Sequence, residues 1–364
     1  MLIDTTLREG EQLFGLYLSM NERKEIVRGL MDIGIEEIEL GNVAQEDIAP
    51  LFAWATGFGG TTRFSLWSPA RKRFLKSIPP LPGTGINIGL PSSDAHMAKR
   101  LDMTRSELLE HCVHVVKFAR SLGWERITIG LEDASRADPS FLVQAARTAQ
   151  RAGAFCIRVS DTVGLWKPLE VASLIAQMKR EVGCTLAVHC HNDFGMATAN
   201  ALTGLDSGAD AADVSILGIG ERSGIASLEE LAGYLTLKAQ TASYRMKAIP
   251  ALSQMVSARA KLSIPRTRPI VGDDIFACET GLHVHGILKD PTLFEPYAPE
   301  CVNTSRRIGL GKKTGRAAVS TALNCLTPTT GPPLAGLVSA IRTTSLHKSR
   351  PLTSREVKSL LDQL

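Results

Sequence analysis

The sequence lacks most of the features that classify a protein quickly. No stretch of its 364 residues comes near the ~18 consecutive apolar residues of a membrane helix. The N-terminus MLIDTTLREG has neither the basic start nor the apolar run of a signal peptide, so the expected location is the cytoplasm. No Cys-x-x-Cys occurs. The seven cysteines are scattered at 112, 156, 184, 190, 278, 301 and 325, which excludes a disulfide framework and predicts reduced, mostly buried thiols. The net charge is only +4, with Lys and Arg dispersed among Asp and Glu, so no nucleic-acid partner is expected. No GxGxxG follows the first strand, which removes support for a dinucleotide fold. The segment GLGKKTG (309–315) lacks the four residues that a P-loop needs between its glycines, and reads as a flexible turn.

What is present is a rhythm. Short apolar strands are expected at 2–7, 36–42, 63–68, 85–90, 126–133, 155–162, 185–193 and 212–220. Helical patterns lie at 19–33, 45–56, 70–77, 104–121, 139–152, 167–181, 197–207 and 227–238. Ser19/Glu22, Thr104/Glu107 and Ser227/Glu230 have the form of capping boxes. Eight strand–helix units over about 240 residues are the size of a TIM (β/α)8 barrel. An open doubly wound sheet is the competing fold. Residues 1–240 are therefore expected to form a catalytic barrel. Residues 241–364 would form a linker and a small, mainly helical C-terminal subdomain that completes the active site. Its helices are expected near 316–325, 334–344 and 353–363, with the turn TPTTGPP (327–333) between the first two.

A barrel concentrates catalytic residues at the C-terminal ends of its strands. Here those ends carry Arg8-Glu9, Glu132-Asp133, Asp161-Thr162, His189-Cys-His191-Asn-Asp and Gly218-Ile-Gly-Glu-Arg222. His189 and His191 stand two apart on a strand, so both project to one face. A strand end satisfied by its neighbours would look the same. A metal needs a third ligand. Glu9 is the best candidate, because strands one and seven lie two apart in a closed ring of eight. Two histidines and a carboxylate with open positions suit Mg, Mn, Zn, Co or Fe(II), and a chelating 2-oxo acid can fill those positions. The metal would act as a Lewis acid, and Arg8 could stabilise the alkoxide formed on attack at the keto carbon.

Seven ordered segments carry a family resemblance: DTTLREGEQ (4–12), EDASRADP (132–139), SDTVG (160–164), HCHNDFGMATANAL (189–202), GIGERSGI (218–225), ETGLHVHGILKDP (279–291) and LGKKTGR (310–316). Together they resemble the homocitrate synthase, isopropylmalate synthase and citramalate synthase superfamily of metal-dependent, Claisen-condensing TIM-barrel enzymes. The resemblance covers the chain to about residue 320, and lies nearest homocitrate synthase. It implies a condensation of acetyl-CoA with a 2-oxo acid, and thioester hydrolysis. A divalent metal would be held by Glu9, His189 and His191. Arg8 would polarise the keto group. His283 and Tyr297 would belong to the acid–base set, reaching the site of a partner subunit in a homodimer. Glu132 would orient a base, Thr162 would contact the substrate carboxylate, and Gln12 would contact substrate.

EDASRADP resembles homocitrate synthases of the nitrogenase-associated type. REGEQ and Ile225 resemble those of lysine biosynthesis. The lysine-type enzymes carry an Arg on strand five for the distal carboxylate of 2-oxoglutarate, and Thr128 stands at the matching position here. Trp67 and Ser68 depart from both groups and are expected to shape the pocket. 2-Oxoglutarate is the expected substrate. Citramalate or isopropylmalate synthesis is the alternative, and a metal-dependent aldolase or lyase, a non-haem iron oxygenase or a scaffold are more distant ones. No regulatory domain fits in the chain, so leucine-type feedback is not expected.

Overall fold

The computed structural model describes residues 1–326 and 334–363. These form two compact units, Met1–Ser263 and Ile264–Leu364. The turn expected at 327–333 lies outside the described residues.

The first unit is the expected barrel. Its strands are β1 (Leu2–Asp4), β2 (Glu37–Asn42), β3 (Arg63–Pro69), β4 (Gly85–Pro91), β5 (Arg126–Glu132), β6 (Cys156–Asp161), β7 (Thr185–Cys190) and β8 (Ala211–Val214). They pair in parallel and in chain order, and β8 closes on β1. β1 and β7 therefore stand two apart, as the metal argument requires. The outward residues, such as Ile127, Ile129 and Leu131 of β5, are fully buried beneath the surrounding helices. That double covering is why the strands read as nearly continuous apolar runs.

The helices are α1 (Met20–Ile33), α2 (Ile48–Thr56), α3 (Lys72–Leu75), a short α4 (Asp94–His96), α5 (Arg105–Ser121), α6 (Pro139–Ala152), α7 (Pro168–Glu181), α8 (Ala197–Asp206), α9 (Leu228–Gly233) and α10 (Ile249–Ala260). Ser19 and Thr104 form their capping boxes. The third one does not form. Ser227 makes no side-chain cap bond, and Glu230 instead accepts from the Thr198 hydroxyl at 3.0 Å. Gly34 ends α1 at φ 93°, a left-handed cap that a side chain would strain. α3 is four residues long where a longer helix was expected, because Arg71 before it is extended and Pro79-Pro80 follow soon after.

The first unit continues past residue 240, where the strand–helix rhythm ends. The backbone N–H of Arg245 donates to Ile33 O at 2.8 Å, and Leu252 of α10 lies so close to Gly29 that a Cβ there would meet it at 2.7 Å. Non-periodic chain thus packs on the barrel exterior, which periodicity alone does not reveal.

The second unit holds α11 (Gly281–Lys289), α12 (Arg316–Leu326), α13 (Leu334–Lys348) and α14 (Ser354–Leu361), with a two-stranded parallel sheet of β9 (Ala277–Cys278) and β10 (Arg307–Ile308). Val284, Val319, Leu337, Ile341 and Val357 form its core. The GLGKKTG segment forms a turn held by hydrogen bonds. The fully buried Thr314 hydroxyl accepts from Gly311 N–H at 2.8 Å, and Gly281 N–H donates to Lys313 O at 3.0 Å. Among the described residues, no helix is long and apolar enough to cross a membrane.

Candidate active site at the barrel mouth

The site begins where β1 stops. The Asp4 carboxylate accepts from the Thr6 N–H at 2.9 Å and from its hydroxyl at 3.1 Å. Thr5 O then accepts from the N–H groups of Arg8, Glu9 and Gly10 at 3.0, 2.7 and 3.1 Å. This tight turn brings Arg8 and Glu9 to the barrel cavity. From β7 and its end come His189 and His191, whose rings lie edge to face with centroids 5.0 Å apart.

Glu9, His189 and His191 are all buried, and each offers a ligand atom within 4.8 Å of the others. Their chemistry fits a divalent cation. His189 Nδ1 lies 2.9 Å from Asp213 Oδ2 on β8, so its proton sits on that side and Nε2 is left as a lone pair. Glu9 Oε1 also accepts from Glu221 N–H at 3.1 Å. That N–H comes from the GIGERSGI loop, which closes through Ile225 N–H to Gly218 O at 3.0 Å. Gly224 makes the closure feasible, because a Cβ there would meet Gly218 O at 1.8 Å. Arg222 of the same loop lies 3.1 Å from His191 Nδ1 and donates to Asp193 and to Thr162 O.

Electrostatics hold the ligands in usable states. Burial opposes ionisation of Glu9, but Arg8, and then His189 and His191, hold its carboxyl below the ordinary value. Burial, and next His189, push His191 down to about 3, which keeps it a neutral ligand. Arg8 donates from Nη1 to Glu9 and from Nε to Glu39, both at 2.5 Å. Despite burial, those two carboxylates hold its guanidinium firmly charged.

Beneath the mouth lies a charge network that reading of strand ends missed. Glu39 of β2 is fully buried and accepts from Arg8, from Arg158 Nη1 at 2.8 Å and from Asn87 Nδ2 at 3.1 Å. Burial raises its carboxyl, yet Arg158 and Arg8 outweigh this and bring it to about 2. Arg158 of β6 also stands 3.3 Å from Asp213, the partner of His189. One buried guanidinium thereby links the support of Arg8 to the support of His189. The available signal was a charged residue at mid-strand with inward parity.

The cavity has a volume of about 270 Å³, and its lining comes entirely from the barrel. Arg8, Glu9, Gln12, Glu132, Thr162, His189 and His191 all line it. Trp67 lines it too. Ser68 does not, since its buried hydroxyl turns to Pro69 O. Thr128 is also absent from the lining. On β5 the cavity is met by Gly130 and Glu132 instead. Thr162 Oγ1 accepts from Asp133 N–H at 2.8 Å, which leaves its proton to donate. Glu132 is ion-paired to Arg100 at 2.9 Å. His283 and Tyr297 belong to the second unit. His283 is exposed on α11 and stacks on Phe294 with centroids 4.5 Å apart, while Tyr297 is half-buried, edge-on to Phe276. The six cysteines whose side chains are described are all free thiols.

A closed barrel whose mouth brings together a carboxylate and two histidines that could hold a divalent cation has the framework of a TIM-barrel enzyme. Residues 1–256 match the HMGL-like family, and residues 270–331 match the homocitrate synthase post-HMGL domain-like family. The chain is 34% identical to homocitrate synthase AksA of Methanothermobacter thermautotrophicus, over 88% of this chain and 83% of that protein. It is 37% identical to a probable 2-isopropylmalate synthase of Ignicoccus hospitalis, over 91% of this chain and 84% of that one. In fold it resembles hydroxymethylglutaryl-CoA lyase from Pseudomonas aeruginosa, with a TM-score of 0.60 at 22% identity, over 72% of this chain and 93% of that one. The chain belongs to the HMGL-like family, in its branch of homocitrate, isopropylmalate and citramalate synthases.

Proposed function

We propose that the protein condenses acetyl-CoA with a 2-oxo acid, and that the acid is 2-oxoglutarate, giving homocitrate and CoA. The observation that carries the reading is Arg8 bonded to Glu9 beside His189 and His191 in one buried cavity. Glu9, His189 and His191 would hold a divalent metal such as Mg, Mn, Zn or Co, which supplies Lewis-acid polarisation of the keto carbonyl.

The protein groups divide the remaining work. Nη1 and Nε of Arg8 are engaged by carboxylates, while Nη2 makes no hydrogen bond among the described residues and is left for the keto oxygen. The Thr162 hydroxyl donates to the C1 carboxylate, and Gln12 adds a polar contact. A base removes a proton from the acetyl methyl, and the resulting carbon attacks the keto carbon. The keto oxygen gains the electron pair beside Arg8 and is then protonated. Water cleaves the thioester, releasing a carboxylate and the CoA thiol. His283 and Tyr297 are assigned to the proton transfers, reaching the barrel of a second subunit in a homodimer, with Glu132 as orienting carboxylate. The barrel is assigned residues 1–240, and 241–364 the role of completing the site. The identity to an isopropylmalate synthase favours one alternative, a branched monocarboxylic 2-oxo acid.

The test is release of CoA thiol by Mn- or Mg-supplemented protein with a panel of 2-oxo acids. Release with 2-oxoglutarate supports the proposal. Release only with 2-oxoisovalerate or pyruvate overturns the substrate, and no release with any of them overturns the reaction. Mixing inactive His283→Ala and Arg8→Ala chains should restore partial activity. No recovery after proven subunit exchange overturns the shared site.

A further inference from the structure

Resting on 2-oxoglutarate as substrate, a distal carboxylate needs a cationic partner, and strand five brings none to the cavity. Gly89, Gly130 and Arg158 sit side by side in register on β4, β5 and β6, and all three line the cavity. The two glycines leave a trough that side chains would close. A Cβ on Gly89 would meet Glu132 Oε1 at 2.3 Å and the Trp67 ring at 2.8 Å, and one on Gly130 would come within 3.2 Å of Asn87 Oδ1. At the end of the trough stands Arg158, with a relative exposure of 2%.

Arg158 is not fully satisfied. Nη1 donates to Glu39, and Nε faces Asp213 at 3.3 Å without forming a hydrogen bond. Nη2 makes no hydrogen bond among the described residues. Nη2 is therefore the donor that Arg158, as part of the cavity lining, has left to offer a guest. The metal ligands come from β1 and the end of β7, and the trough lies on β4 to β6. A five-carbon diacid whose 2-oxo acid end is held beside Arg8 and Thr162 would have its distal carboxylate free to extend to that side. The other cation in the lining outside the charge network, Arg100, is half exposed and already bonded to Glu132.

We propose that Arg158 receives the distal carboxylate, through a trough floored by Gly89 and Gly130, and so sets the preference for a dicarboxylic 2-oxo acid. A charge-assisted hydrogen bond in a buried site carries a discrimination on the order of 10- to 100-fold.

The experiment compares kcat/KM for 2-oxoglutarate with kcat/KM for 2-oxobutanoate in Mn-supplemented wild type, Arg158→Gln, Arg158→Lys, Gly130→Val and Arg100→Gln. Calorimetric binding of 2-oxoglutarate provides a readout apart from turnover. The ratio cancels damage common to both substrates. Arg158→Gln should lower it about 100-fold and Arg158→Lys about 10-fold, with matching losses of 2-oxoglutarate affinity. Gly130→Val removes no charge and should also lower the ratio, so the test survives if Arg158→Gln fails to fold. Wild type active with 2-oxoglutarate, and Arg158 and Gly130 variants that keep its ratio, overturns this assignment alone. So does a collapse of the ratio in Arg100→Gln only. Wild type that turns over only monocarboxylic acids overturns the substrate reading beneath it.

Discussion

Replacing Glu39 by glutamine tests whether the buried network holds the site together. Glu39 is fully buried and takes hydrogen bonds from Arg8, Arg158 and Asn87. Glutamine keeps the shape but removes the anion, and it turns an amide donor toward one of two guanidinium groups. Arg8 is left with Glu9, and Arg158 with Asp213. Removing one partner of a buried ion pair costs about 3–5 kcal/mol, because the opposite charge stays buried. The Glu39 carboxyl points the same way: burial raises it, but Arg158 and Arg8 outweigh burial and hold it well below its ordinary value. Its sign is that of a depressed acid. The stability is present above the ordinary carboxylate range and is lost as pH falls from 4.5 toward 2. At roughly 2 °C per kcal/mol for a chain of this size, Tm at pH 7.5 should fall by about 6–10 °C. Thermal unfolding followed by circular dichroism measures it, and the gap from wild type should narrow as the pH is lowered through 4. A variant within about 2 °C of wild type at pH 7.5 would refute the reasoning. The network would then be decoration on a barrel stable without it.

Asp4 should act with the opposite sign. Burial, against the opposing Thr6 hydrogen bonds, raises its carboxyl to about 7, so its stabilising proton is held at low pH and lost as pH rises from 3.8 toward 7. Asp4→Asn should flatten the decline of Tm over that window, and curves that stay parallel would remove Asp4 as the cause. His189→Ala should lose bound metal, read by elemental analysis after gel filtration, and fall to background activity with its barrel circular dichroism retained. A metal-retaining, active variant would dissolve the proposed centre. Arg8→Lys should lower kcat at least ~100-fold, because an ammonium cannot serve Glu39, Glu9 and a keto oxygen in one plane. Near-normal turnover would exclude Arg8 from the reaction.

The sequence displayed the outer half of this site and hid the inner half. Arg8, Glu9, His189 and His191 could be found because they lie at or beyond strand ends, where a barrel concentrates its functional residues. Closure of the ring then put β1 two places from β7. Glu39, Arg158 and Asp213 lie within their strands, one layer deeper. Parity was legible for them. In CIRVSD, Arg158 shares a face with Cys156 and Ser160, and the partly buried Thr162 follows beyond the strand. Depth was not, because it depends on how far each strand is staggered against the next, and that stagger is set by non-local pairing. Thr128 illustrates the cost. It pairs with Cys156, whereas Gly130 pairs with Arg158, so the cavity level on β5 lies two residues beyond the position that a motif comparison selects. A cation lost from one strand can therefore be replaced from its neighbour with no trace in either motif. The replacement proposed here, Arg158, emerges only when the register places it beside Gly130. For a barrel, the residue that fixes substrate choice is a property of the layer, and no single strand's sequence contains it.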